Sequence, residues 1–155
     1  MTHKSLELWL HVEDPRLIPL LESLALDAGL ATDEQRIEAV RRVRELIGRF
    51  CAHSLREEIE NADERHHEVP YTRMNGVRSE TGYIDLLYRK GNEWFVVDFK
   101  TDAIHSEEQY KELVGKYSRQ LERYASAIKQ LLGRDAKLSI CFLDNNGRTH
   151  VANQF

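Results

Sequence analysis

Cysteine, proline, positive charge and long apolar runs are what this sequence has least of, and each shortage removes a class of protein. The two cysteines, Cys51 and Cys141, lie far apart and outside any CxxC spacing. Neither a disulfide framework nor a four-cysteine zinc or iron–sulfur site can be built from them, and both read as small core residues. Prolines occur only at positions 15, 19 and 70, so the chain has no proline-rich linker. No apolar stretch approaches the roughly 20 residues that cross a bilayer. The opening "MTHKSLELWLHVEDP" lacks the basic start, apolar centre and small-residue cleavage site of a secretory signal, so a cytoplasmic setting without membrane contact is expected. A basic excess is also missing. The net charge is −4, which excludes a broad electrostatic grip on nucleic acid and leaves only local or metal-bridged contact with phosphate.

What is present suits one ordinary globular domain over residues 1–155, with 41% hydrophobic and 31% charged residues. Residues 1–60 read as mainly helical. A short amphipathic piece spans 2–10, a second helix covers "PRLIPLLESLALDAG" and stops at Gly29, and Thr32 with Gln35 forms a capping box for a long helix to about Ser54. Ile37, Val40, Val43, Ile47 and Phe50 give that helix its apolar repeat. The charged run "REEIENADERHH" then leads into a strand at "EVPYTRM". Residues 65–155 read as a sheet core with one helix at 106–132, opened by Ser106 and Gln109 and closed by Gly133, and a last strand pair turning at Asn146-Gly147. The order implies an α/β or α+β domain with helices on a small mixed sheet.

The chemistry is concentrated in "GYIDLLYRKGNEWFVVDFKTD", residues 82–102. With a two-residue Gly91-Asn92 turn of the glycine-first type, Lys90 faces Glu93 and Asp85 faces Asp98. Opposed Cβ atoms lie roughly 5 Å apart, and two carboxylates held there repel. The flanking Ile84, Leu86, Leu87, Phe95, Val96 and Val97 leave water little room to relieve that repulsion. A cation between them is the economical answer, and a divalent metal with oxygen ligands suits it. Lys100, two residues after Asp98, projects to the same strand face. An Asp and a Lys two apart are often only a surface ion pair. A cross-strand aspartate inside apolar flanks is much rarer and favours a site in which metal, carboxylates and ammonium act on a phosphodiester. On the helix that follows, Tyr117, Gln120 and Tyr124 share one stripe with Leu113, Ile128 and Leu131. A glutamine there needs hydrogen-bond partners, either backbone beside the active strands or substrate. Tyrosines at that spacing are more often core. Arg119 and Arg123 on neighbouring faces are within reach of phosphates, although exposed helix arginines are usually solvated.

These residues resemble the PD-(D/E)XK nuclease superfamily, specifically the RecB/AddA-like nuclease domain at the carboxyl end of bacterial UvrD-type helicase-nucleases. "GYIDLLYRKGNEWFVVDFKTD" is similar to that family's G-x-I-D strand, turn and V-V-D-x-K-T strand. "HEVPY" resembles the preceding strand, and "YSRQLERYASAI" the Y-x-x-Q-x-x-x-Y helix. The resemblance implies a restriction-endonuclease-like fold. It makes Asp85 and Asp98 metal ligands, adds the Phe99 backbone carbonyl, and gives Lys100 the catalytic role. "THKSLE" matches the end of the family's histidine motif and makes His3 a metal ligand, with His53, His66 and His67 as weaker competitors and no motif around His11. Glu68 matches an acidic residue that approaches the site on the metal side or behind it, and Gln120, Tyr124 and, less strongly, Tyr117 organise the site or touch substrate. The resemblance further implies Mg²⁺ or Mn²⁺ as cofactor, DNA as single strands or ends as substrate, an exonuclease module with a fused or associated helicase, and a role in recombinational repair. With four cysteines lacking, no iron–sulfur cluster is expected. The alternative is a non-catalytic DNA-binding or assembly module that keeps the fold. The intact aspartates and lysine argue against it, and the incomplete histidine motif argues for it.

Overall fold

The structure, a computed structural model, describes residues 1–154, without the side chains of Asn75 and Gln154. Phe155, the last residue of the expected domain, lies outside the described residues. The helical part comprises α1 (Thr2–Glu7), α2 (Leu17–Asp27), α3 (Asp33–Cys51) and α4 (Ser54–Glu60). The remainder is β1 (Glu64–Asn75), β2 (Arg78–Lys90), β3 (Glu93–Ile104), α5 (Glu107–Leu132), β4 (Ala136–Asn145) and β5 (Arg148–Gln154).

Local chemistry accounts for most boundaries. The capping box at Thr32 is complete, with Thr32 and Gln35 exchanging hydrogen bonds. At α5 the Ser106 hydroxyl takes the Gln109 amide, but Gln109 Oε1 accepts from His105 N–H at 2.9 Å, so that box is displaced by one residue. Gly91 has a φ of 58°, whereas at the last turn both Asn146 and Gly147 are left-handed, at 49° and 74°. The first helix is shorter than its apolar pattern suggests, because Trp9 adopts a φ of 53° and turns the chain. The charged run after Ser54 holds an unexpected helix. His53 Nδ1 caps α4 by accepting the Leu55 N–H at 3.1 Å, and the buried Arg56 lies 3.8 Å from the Trp9 ring centroid while donating to Glu60 at 2.7 Å. Ile37 and Leu131, expected on apolar stripes, are exposed: Ile37 lines an open groove between α2 and α3, and Leu131 lies in the last turn of α5, outside the core packed on the sheet.

One five-stranded sheet runs in the order β1-β2-β3-β4-β5, antiparallel except for the parallel β3–β4 pair that α5 connects. Its two faces bury separate cores. Helices α1–α4 cover one face, where Phe50 and Ile47 meet Leu86, Val97, Phe99 and Cys141. Helix α5 covers the other, where Leu121, Tyr124 and Ile128 meet Ile84, Val96, Ile140 and Phe142. The β1–β2 hairpin changes layer midway. His67 packs on Trp9 in the first layer, with ring centroids 5.0 Å apart, but Val69, two residues on, packs in the second. Between them Glu68 sits at a φ of 48°, a conformation that costs a non-glycine residue roughly 1–2 kcal/mol. The kink falls opposite Asp85, between the pairs His67↔Leu86 and Val69↔Ile84.

Beyond the kink the hairpin lies over α5, with Tyr71 edge-on to Tyr124 at 5.8 Å and Met74 N–H donating to Gln130 Oε1 at 3.3 Å. This close approach explains the glycine of the G-Y-I-D segment, because a Cβ at Gly82 would stand 2.7 Å from the Tyr71 hydroxyl oxygen. Tyr71 is buried and cannot swing aside freely. Gly82→Ala should therefore destabilise the fold by about 1–3 kcal/mol, measured by denaturant unfolding; an unchanged midpoint would show that the Tyr71 ring yields without cost.

Candidate active site

Strands β2 and β3 are paired from Lys90↔Glu93 to Leu86↔Val97, one step short of the two aspartates. From there β2 continues against β1 alone, and β3 stays with β4 through Lys100↔Phe142 and, after an irregularity, to Ile104↔Asn145. Asp85 and Asp98 stand where the strands part. The Asp85 carboxylate substitutes for the lost ladder, its Oδ2 accepting the Phe99 N–H at 2.8 Å. Asp98 is fully buried. Its Oδ2 lies 2.8 Å from Lys100 Nζ, and its Oδ1 accepts from the Tyr124 hydroxyl at 3.4 Å.

Helix α5 supplies the second wall. Lys100 Nζ donates to Gln120 Oε1 at 3.0 Å, and the other end of that amide, Gln120 Nε2, donates to the Tyr124 hydroxyl. The partners of the glutamine are thus side chains of the site rather than backbone. Tyr117 lies across Lys100, with Nζ 4.2 Å from the ring centroid, and its hydroxyl donates to Asp102 Oδ2 at 2.9 Å. Asp102 escapes sequence reasoning because its partner is fifteen residues away on another element. Its position two residues after Lys100 on one strand is the available signal.

Helix α1 brings His3 over the same corner. His3 Nδ1 is 3.6 Å from Asp85 Oδ2, and the side chain is 48% exposed. Glu68 faces Asp85 from the kink in β1, partly buried. The other histidines are elsewhere: His53 caps α4, His66 approaches Glu64, His67 packs on Trp9, and His11 accepts the Glu13 N–H. Arg119 and Arg123 are exposed on α5. A groove between α2 and α3, lined by Leu26, Ile37 and Val40, shares no residue with this cluster.

Electrostatics mark the corner as short of positive charge. Burial, reinforced by the Asp98 charge, pushes the Asp85 carboxyl up to about 6. Burial also raises Asp98, against the pull of Lys100. Glu68 is raised by burial and by Asp85, while His3 is lowered by burial and by Lys100. Burial and the Asp102 hydrogen bond push Tyr117 up to about 12, so its hydroxyl remains a donor.

The sequence profile of the PD-(D/E)XK nuclease superfamily matches residues 1–154. This chain belongs to that superfamily. Among its relatives are large proteins named as ATP-dependent helicase/nuclease subunits. That of Levilactobacillus brevis is 28% identical over 141 residues, 78% of this chain and 11% of the relative. That of Staphylococcus epidermidis is 30% identical over 122 residues, 68% of this chain and 10% of the relative. That of Staphylococcus carnosus is 37% identical over 62 residues, 36% of this chain and 5% of the relative. The chain thus spans about a tenth or less of the length of these relatives. A Vibrio cholerae protein of known crystal structure aligns with 81% of this chain and 33% of its own, at a TM-score of 0.37 and 17% identity, and adds nothing to the family assignment.

PD-(D/E)XK nucleases generally use divalent metals, and the corner fits such an ion. Asp98 Oδ2 is buried and has no well-directed hydrogen bond, the ammonium beside it serving only as a counter-charge. Carboxylates at positions 68, 85 and 98 and an imidazole at position 3 are the donor types a hard divalent cation takes. Among the described residues no three such side chains are drawn together tightly enough to cage an ion as they stand. The Lys100 ammonium occupies the counter-charge position at Asp98.

A raised carboxyl favours the protonated form, so the stability tied to Asp85 is complete below its ordinary range near 3.8 and is lost as pH climbs through about 6. In chelator at pH 7.5, Asp85→Asn should therefore raise the melting temperature, by up to about 3 kcal/mol of stability, while keeping an acceptor for Phe99 N–H. The gain should vanish near pH 4. A variant less stable than wild type at pH 7.5 would contradict this electrostatic picture.

Proposed function

We propose that this chain is a metal-dependent deoxyribonuclease domain hydrolysing phosphodiester bonds, an exonuclease module working with a fused or associated helicase in recombinational DNA repair. The observation that carries the reading is the meeting of a buried aspartate, a partly buried one and a lysine where β2 and β3 part. Asp85 and Asp98 are the residues to hold Mg²⁺ or Mn²⁺, with His3, Glu68 and the Phe99 carbonyl as further donors. When bound, the cation neutralises the carboxylates, polarises the scissile phosphate and acidifies water.

The remaining roles belong to side chains. Lys100 directs its ammonium into the corner, where it orients the attacking water and stabilises charge developing on phosphate. Gln120 fixes that ammonium through Oε1, and Tyr124 fixes the amide so that its oxygen faces the lysine. Tyr124 also donates to Asp98, which limits the rotation of that carboxylate. Phe99 N–H does the same for Asp85. The net charge of −4 gives little non-specific hold on DNA, which is why delivery of a strand by a helicase belongs to the proposal. The competing reading, a DNA-binding or assembly module without turnover, draws on the half-exposed His3 and on the lack of a preformed three-ligand group among the described residues.

Wild type and Lys100→Ala should be incubated with end-labelled linear and with circular single-stranded DNA, in Mg²⁺ and in EDTA. Loss of linear DNA alone, abolished by EDTA and reduced about 10²–10³-fold in the variant, is the expected result. Cleavage of circles would replace the exonuclease reading with an endonuclease. DNA binding without metal-dependent loss would support the competing module.

A further inference from the structure

The lysine of the site has a support that neither the strand motif nor the glutamine accounts for. Lys100 Nζ lies 4.2 Å from the centroid of the Tyr117 ring, a distance at which the π face attracts an ammonium. The ring is itself tied down, because its hydroxyl donates to Asp102 Oδ2 at 2.9 Å. Asp102 falls in an irregular part of β3: Lys100 pairs with Phe142 but Ala103 pairs with Asp144, so β3 spends three residues where β4 spends two. Bulges of this kind re-aim side chains and are common beside active sites. A ring placed only as core filling would need neither the bulge nor the hydroxyl bond. Tyr117 is only partly buried, and Lys116 also lies 5.0 Å from its centroid on the solvent side.

We propose that Asp102 and Tyr117 are positioning residues for Lys100: the bulge aims Asp102 at the Tyr117 hydroxyl, and the ring so fixed holds the Lys100 ammonium toward the corner between Asp98 and Gln120. Without the ring, the flexible four-carbon stem has only Asp98 and Gln120 to define its place, and the ammonium settles on the nearer carboxylate. This inference rests on the nuclease reading for its catalytic consequence, but its geometric content does not.

Two readouts separate the two levels. In the metal-free protein, NMR of lysine labelled at the ε carbon should show the Lys100 ε-methylene protons shifted upfield by the Tyr117 ring current. That shift should disappear in Tyr117→Leu, persist in Tyr117→Phe, and shrink in Asp102→Ala but not in Asp102→Asn, which keeps an acceptor. The second readout is cleavage of linear single-stranded DNA with Mg²⁺. Tyr117→Leu should lower kcat by about tenfold, within the range of a desolvated cation–π contact, with KM little changed and with Phe largely restoring the rate. A Lys100 signal that ignores both Tyr117→Leu and Asp102→Ala overturns the proposal. If Leu at 117 fails to fold, the Asp102 pair still decides it. Wild type that never cleaves DNA while the NMR pattern holds would sink the nuclease reading and leave the positioning intact.

Discussion

The fold turns on one substitution of a side chain for a backbone partner: the Asp85 carboxylate accepts the Phe99 N–H at the step where β2 and β3 cease to pair. A buried amide needs an acceptor, and here it finds one that carries charge. That choice lets two strands diverge inside the molecule without leaving an orphaned donor. It also commits a carboxylate to an environment that raises it to about 6, beside a second carboxylate with no exposure at all. Holding two like charges in and beside the core is a cost that apolar packing could have avoided, and such costs cluster at functional sites.

Polar groups from three further elements gather at the split, Glu68 adding to its negative charge. Helix α1 brings an imidazole, the kink in β1 turns Glu68 toward Asp85, and α5 contributes an amide and two phenols. The two cores have distinct duties. Phe99, packed on Phe50 with centroids 5.1 Å apart, anchors β3 to the helical layer, while its neighbours Asp98 and Lys100 face α5. Alternation along one strand thereby separates the packed face from the charged corner. At the far side, the buried Asp144 joins the β4–β5 hairpin to α3 through the partly exposed Arg42 and Arg49, a charge cluster apart from the candidate site.

Much of this is legible in the sequence because short-range rules govern it. The Gly91-Asn92 turn fixes the expected register as far as Leu86↔Val97, though the strands part before Asp85 and Asp98 pair directly, and Thr32, Ser106 and Gly133 mark helix ends through caps. The spacing of Tyr117, Gln120 and Tyr124 puts all three against one strand end. What is not legible depends on contacts between distant elements. Helix α4 is hidden in a charged run because Arg56 is buried only through its contacts with Trp9 and Glu60. The layer change at Glu68 and the bulge at Asp102 break the period of two on which strand reading rests, and both fall beside the site. The β1–β2 hairpin likewise runs longer than the strand expected at 68–74, since β1 already starts at Glu64, within a charged run that has no apolar alternation.

If the parted strands create a cation site owned jointly by Asp85 and Asp98, both carboxylates must be needed to fill it. Titration calorimetry of chelator-stripped protein with Mn²⁺ tests this without reference to any substrate. The expected result is saturable binding in wild type that is lost in both Asp85→Asn and Asp98→Asn, the variants remaining folded. Equal Mn²⁺ binding by wild type and either variant would contradict joint ownership of the ion.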